Sequence, residues 1–346
     1  MKTAAVALVL GACALTGLSP YVRAQTARTA EPVSVPCPPA GGLGFVCGLT
    51  NVEDFLPIQG GRWLVGSSLK VGSVGLYLID TAAKTARAVP ISLASTPDPL
   101  YPGCTAPDLK GLSTHGLDVV EHRGSVTVYA VSHGGRESVE VFRLNPLQAS
   151  ATWIGCVLMP PGANGNAVAA LRGGAFAVTK FLDTADKQGF QHIMAGQVTG
   201  TVYRWTPRKG FSEVPHTRLS GDNGIAASPD GKWLYINAYG TRKIYRVSLS
   251  GQGPVSSVAV NFNPDNLRWA PDGTLFVTGQ FITTPRPTGP DPWAVVKLDP
   301  TTMSVSPVLR QPALPEFGDA TSTVQIGQTL WFCTFRGDRV AYRPVP

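Results

Sequence analysis

Glu53, Asn166, Asn223, Asp265 and Asp319 each lie eight residues before the key glycine of a turn, and all five carry a carboxylate or carboxamide oxygen. The turns are Gln59-Gly60-Gly61-Arg62, Arg172-Gly173-Gly174, Pro229-Asp230-Gly231-Lys232, Pro271-Asp272-Gly273-Thr274 and Ile326-Gly327-Gln328. A sixth turn, His122-Arg123-Gly124, has Gly116 at the equivalent place, with His115 beside it. Asp, Glu, Asn and Gln make up only about an eighth of the residues, so five oxygen-bearing positions among six stand well outside chance. Asn223-Gly224 and Asp265-Asn266 are also ordinary turn dipeptides, which keeps a purely structural reading open. The chemistry these donors suit is metal binding. Glu53, Asn166, Asn223, Asp265 and Asn266 are hard oxygen ligands, two of them anionic, and such a set favours calcium over zinc or copper.

Two histidines fall near these positions. His115 opens the second repeat, and His133 ends the next apolar stretch, Ala130-Val131-Ser132-His133. Beside an ion that polarises a carbonyl, an imidazole can take the proton of an attacking water. Alone, either is as readily a satisfied structural histidine. His122, His192 and His216 read as loop residues.

The elements that must position these groups are strands. Four turns run directly into alternating apolar segments, Trp63-Leu64-Val65, Trp233-Leu234-Tyr235-Ile236, Leu275-Phe276-Val277 and Leu330-Trp331-Phe332, and helical periodicity is nearly absent. A strand, a Gly turn and a second strand is hairpin chemistry. The key glycines recur at intervals of 42 to 63 residues, which suits about four strands per repeat and predicts an all-β, six-bladed propeller with a central metal site. Innermost strands of a propeller converge at one mouth of the channel, so ligands distant in sequence become neighbours.

Lys2, the apolar run Ala4–Leu18 and the small-residue site Val22-Arg23-Ala24 predict a cleaved signal peptide over 1–24 and a periplasmic or secreted protein. Leu10-Gly11-Ala12-Cys13 also resembles a lipoprotein processing site, which would leave Cys13 acylated and the protein anchored at the envelope. Residues 25–46 read as an extended arm and 47–346 as the propeller. With 38 Gly, 30 Pro and 43% hydrophobic residues, the chain suits a turn-dense β fold rather than disorder. Cleavage would leave Cys37, Cys47, Cys104, Cys156 and Cys333, an odd number in an oxidising compartment. The expected bridges are Cys333 to Cys37 or Cys47, closing the ring, and Cys104 to Cys156. No Cys spacing suits zinc. The formal charge of +7 is dispersed without a basic run, which excludes a nucleic-acid partner as the leading reading.

The nucleophile elbow, the H-E-x-x-H helix, the phosphate loop and the dinucleotide fingerprint are all absent. What the chain does resemble is a bacterial member of the paraoxonase/arylesterase branch of the six-bladed calcium propellers that include gluconolactonases and senescence marker proteins. The resemblance rests on an ordered series: Val52-Glu53-Asp54, Gly61-Arg62-Trp63-Leu64, Thr114-His115-Gly116-Leu117, Val131-Ser132-His133, Glu137-Ser138-Val139-Glu140-Val141-Phe142, Asn166-Ala167-Val168-Ala169, Asn223-Gly224-Ile225, Ser228-Pro229-Asp230-Gly231 and Pro264-Asp265-Asn266. It implies that Glu53, Asn166, Asn223, Asp265 and Asn266 hold a catalytic calcium and that His115 and His133 form a proton-handling dyad. The implied substrates are small-molecule lactones and aryl esters. A non-catalytic calcium-stabilised propeller and a sugar-lactone hydrolase are the alternatives. Asp54 and the Leu117 carbonyl match positions of a second, structural ion, but Ala167 stands where that resemblance calls for a carboxylate. Residues 181–200 and 283–292 are expected to be loops over the channel mouth.

Overall fold

The computed structural model describes Met1 and residues 34–346 except 36, 102 and 284–287. The expected signal segment beyond Met1, including Cys13 and Ala24, and the middle of the 283–292 loop lie outside those residues.

Each of the six Gly turns closes the hairpin between the first and second strands of a blade. These pairs are Phe55–Ile58 with Trp63–Ser67, Thr114–His122 with Ser125–Ser132, Ala163–Ala170 with Phe176–Asp183, Asp222–Ala227 with Trp233–Ala238, Asn263–Trp269 with Leu275–Gln280, and Ala320–Ile326 with Thr329–Thr334. Gly231 illustrates the turn chemistry. Its φ of 73° lies in the left-handed region that side chains rarely enter, and Ser228 and Asp230 accept the amides around it. The offset of eight therefore spans the stretch from the channel end of an innermost strand to its turn, although the strands themselves run from 4 residues, Phe55–Ile58, to 9, Thr114–His122.

Third and fourth strands complete six antiparallel sheets arranged as the blades of a propeller. The innermost strands contact one another in a ring, with Phe55–Ile58 meeting both Thr114–His122 and Ala320–Ile326. Blade two carries a fifth strand, Ile91–Leu93, parallel to its outer strand Ser150–Leu158. Blades pack face to face, so both faces of a middle strand such as Leu275–Gln280 are buried, which is why these strands read as continuous apolar runs. Trp293 of blade five lies against Phe332 of blade six at 4.9 Å between ring centroids, both fully buried. Burial of such side chains stabilises by about 1.5–3 kcal/mol each.

Ring closure differs from expectation. The last blade is completed by Gly44–Cys47, which pairs with Arg339–Pro344 in the register Gly44↔Tyr342 to Cys47↔Arg339. The end of the expected arm, 25–46, thus enters the propeller as a strand, because the edge of the final hairpin needs a partner. Cys333 does not bridge the ends. Cys37 pairs with Cys47, pinning the incoming chain to the closing strand, while Cys333 is free and buried inside the ring. Backbone hydrogen bonds, not a bridge from Cys333, join the termini. Cys104 pairs with Cys156 and fixes the long segment before blade two to its outer strand. Among the described residues no helix is long and apolar enough to cross a membrane.

Candidate functional site

Glu53 and Asp54 immediately precede the innermost strand of blade one, His115, Asn166, Asn223, Asp265 and Asn266 lie in the channel-end halves of the innermost strands of blades two to five, and His133 directly follows the second strand of blade two. There the ladders break. Register shifts fall between Thr114 and Leu117, Gly165 and Val168, Asp222 and Ile225, and Pro264 and Leu267. The residues released from regular pairing are His115-Gly116, Asn166-Ala167, Asn223-Gly224 and Asp265-Asn266. A bulge re-aims side chains, and four at one level turn His115, Asn166, Asn223, Asp265 and Asn266 away from the sheet-packing alternation. Neighbouring strands approach closely at this level. A Cβ on Gly116 would stand 2.6 Å from the Ala167 Cα and the Asn166 carbonyl oxygen, and one on Gly224 would stand 2.3 Å from the Asp265 carbonyl. Gly116 lacks an oxygen because the ring leaves no room for a side chain there.

The structure brings the candidate ligands together. Asn266 Nδ2 donates to Glu53 Oε1 at 2.7 Å across 213 residues of sequence. Asn223 hydrogen-bonds Asp265, whose Oδ2 also accepts from Gln280 Nε2 at 2.8 Å. Asn166 sits on the strand against Gly116. All five are buried, and Glu53 Oε2, Asn166 Oδ1, Asn223 Oδ1 and Asn266 Oδ1 have no hydrogen-bond partner among the described residues. Buried oxygens that natively lack a donor are rare and costly, so a cluster of four calls for a cation. Among the described residues no three His, Cys, Asp or Glu side chains gather as a metal-binding group. The cluster is instead rich in carboxamides, and a hard oxygen-seeking cation fits it. Burial, reinforced by the Asp265 and Asp54 carboxylates, pushes Glu53 well above the usual carboxylate range. Burial likewise raises Asp265, to about 7. Both shifts come first from desolvation, and neighbouring carboxylates add to them.

Asp319, the sixth equivalent position, accepts from Arg336 Nε at 2.5 Å. The second ion implied at Asp54 and the Leu117 carbonyl does not fit. The Arg268 guanidinium already bridges those two groups, donating to the Asp54 carboxylate and, at 3.1 Å, to the Leu117 carbonyl.

A hydrogen-bonded relay leads away from the oxygen cluster. His115 Nε2 lies 3.8 Å from Glu53 Oε2, and His115 Nδ1 is 2.9 Å from His133 Nε2. His133 Nδ1 is 2.9 and 3.0 Å from the two oxygens of Glu137, which also accept from Asn164 Nδ2 and the Gly165 amide. A carboxylate only accepts, so His133 carries its proton on Nδ1 and presents a lone pair at Nε2. His115 then donates from Nδ1 and keeps an unprotonated Nε2 toward the channel. Burial, with the His133 imidazole beside it, pushes His115 well below its ordinary value and leaves it neutral near pH 7. Sequence reading missed the role of Glu137, although its position four residues after His133 was available as a signal.

The loop expected over 181–200 holds a short helix, Gly189–Met194. Ile193 is buried with Tyr239 and Ile282, and Phe181, Leu182 and Met194 pack against them. Met194 Sδ lies 3.9 Å from Asn263 Nδ2, two residues before Asp265, so this apolar wall borders the oxygen cluster. Phe190 remains exposed. His192 is tied to Asp186 at 2.8 Å and takes no part in the relay.

Comparison with known proteins agrees with this architecture. A luciferin-regenerating enzyme superposes with a TM-score of 0.55 at 14% identity, over 86% of this chain and 92% of that one. A gluconolactonase from Xanthomonas campestris gives 0.51 at 18% identity, over 92% and 98%. At such identities these likenesses show the fold. No curated protein matches by sequence. The family model described as the SMP-30/gluconolactonase/LRE-like region matches residues 114–289, which span the relay and four of the five candidate oxygen ligands. The chain belongs to the SMP-30/gluconolactonase/LRE-like family.

Proposed function

We propose that the protein is a calcium-dependent hydrolase of lactones and related carboxylic esters, acting in the periplasm or outside the cell. The observation that carries this reading is the cluster of buried, unpartnered oxygens on Glu53, Asn166, Asn223 and Asn266 facing the His115–His133–Glu137 relay. These side chains, with Asp265, would hold the ion. When bound, calcium supplies polarisation of the substrate carbonyl and stabilisation of the negative charge that develops on its oxygen.

The chain's own residues handle the proton. His115 Nε2, unprotonated and facing the channel, accepts a proton from the attacking water. The imidazolium so formed is stabilised through Nδ1 by His133, and His133 by the Glu137 carboxylate. Paired disulfides support an extracytoplasmic setting. The apolar wall of Ile193, Met194, Tyr239 and Ile282 beside Asp265 favours lipophilic lactones and aryl esters over sugar lactones.

Hydrolysis of phenyl acetate, an aliphatic δ-lactone, an acyl-homoserine lactone and gluconolactone, with calcium and then with chelator, tests the reading. Calcium-dependent turnover of the lipophilic members is expected. Preference for gluconolactone would make it a sugar lactonase, and folded, calcium-loaded protein inert toward all four would make it a binding propeller.

A further inference from the structure

One buried charge pair is not absorbed by this mechanism. Arg268 follows Asn266 by two residues on the same innermost strand, just past the bulge, and its guanidinium reaches across the ring to Asp54 and the Leu117 carbonyl. Its side chain is 5% exposed and that of its partner Asp54 is 0%. Every nitrogen of the guanidinium is used. Nε donates to Asp54 Oδ1 at 3.2 Å, one terminal nitrogen donates to Asp54 Oδ2 and to the Leu117 carbonyl, and the other reaches the Leu267 carbonyl at 2.9 Å. Asp54 also accepts the Phe55 and Leu117 amides, each at 2.9 Å. Thus groups from the innermost strands of blades two and five and from the entry to blade one converge on a single fixed cation.

We infer that Arg268 is a built-in cation of the channel, occupying a layer whose carboxylate and carbonyl oxygens would otherwise take a second metal ion. An arginine cannot lose its charge in a protein and cannot dissociate, so this layer is neutralised whether or not calcium is present. Asp54 adjoins Glu53 in the chain, and holding it in place fixes the backbone that aims Glu53 into the oxygen cluster above. Arg268 is thereby a positioning residue. The inference uses the proposed calcium site only for its count of ions.

The test is calcium binding to the full chain, by equilibrium dialysis and titration calorimetry, with melting followed in calcium and in chelator. Wild type is expected to bind one ion. Arg268→Ala leaves Asp54 unpaired in a space emptied of the guanidinium, and should bind one ion more than wild type at millimolar calcium. Its melting temperature should depend on calcium more steeply than that of wild type, and the extra ion should vanish in the Asp54→Asn/Arg268→Ala double variant. Should wild type bind no ion, the reading of the upper layer fails, yet a single ion in Arg268→Ala that is lost in the double variant still supports the inference. A second ion in wild type overturns it. So does a folded Arg268→Ala that gains none, or one that fails to fold with and without calcium while Asp54→Asn/Arg268→Met folds.

Discussion

Replacing Glu137 by Gln isolates what the end of the relay contributes. Both carboxylate oxygens face His133 Nδ1, and the one at 3.0 Å from it also accepts the Gly165 amide at 3.0 Å. A glutamine can place its carbonyl oxygen at that position and keep both bonds, turning its NH2 toward Asn164, whose carboxamide can flip to receive it. The tautomers of His133 and His115 therefore survive, and the variant loses only the negative charge. Hydrogen bonds to charged groups contribute about 1.5–3 kcal/mol against about 0.5–1.5 for neutral ones, so roughly 1–1.5 kcal/mol of imidazolium stabilisation disappears. That corresponds to about tenfold in kcat. His115→Gln removes the base itself and should cost about 10²–10⁴-fold. The assay is kcat and KM for the best lactone across pH, with calcium affinity and melting temperature as controls. In Glu137→Gln the loss should fall on kcat, and the acid limb should move to lower pH because the His115 imidazolium has lost its supporting carboxylate. A rate within twofold of wild type with an unmoved acid limb would remove Glu137 from proton handling. A loss as deep as that of His115→Gln, accompanied by lost calcium affinity, would make its role structural.

Three other expectations follow from the same geometry. Glu53→Gln removes one of two clustered anions and should weaken calcium binding by at least about 100-fold and abolish hydrolysis, while in chelator it melts no lower than wild type because a repelled, desolvated charge is gone. Full turnover by a folded, metal-free Glu53→Gln would sink the mechanism. In the ion-free protein Asp265 binds its proton up to about pH 7 instead of 3.8, so the fold retains a proton that the unfolded chain has released. Its contribution to stability is therefore complete below about pH 4 and lost as pH rises to about 7. The melting temperature in chelator, relative to Asp265→Asn, should fall across that window, and calcium should reverse the trend; a flat difference would refute the assignment. Gly116→Ala places a Cβ 2.6 Å from the Ala167 Cα and should destabilise by about 1–3 kcal/mol, lowering the melting temperature by several degrees, whereas an unchanged value would mean the ring has slack.

Local chemistry made much of this legible in the chain. A left-handed glycine between two alternating apolar runs specifies a hairpin wherever it occurs, and repetition of that unit at near-regular intervals specifies blades. Since each turn glycine closes an innermost strand, counting back eight residues from it reached Glu53, Asn166, Asn223 and Asp265, and Asn266 lay next door. His115 and His133 stood out by adjacency to those positions. What only the tertiary structure decided was pairing across the ring. Closure by Gly44–Cys47 against Arg339–Pro344, and the free thiol of Cys333 within it, depend on which edge the returning chain meets. The match of Arg268 to Asp54 joins residues 214 apart, and neither carries a local mark of the other. Hydrophobic pattern and turn type are written residue by residue, because they reflect how each side chain meets water and its own backbone. The partner of a buried charge or of an edge strand is set by the assembled ring, where burial penalises every unpaired group until one particular neighbour answers it.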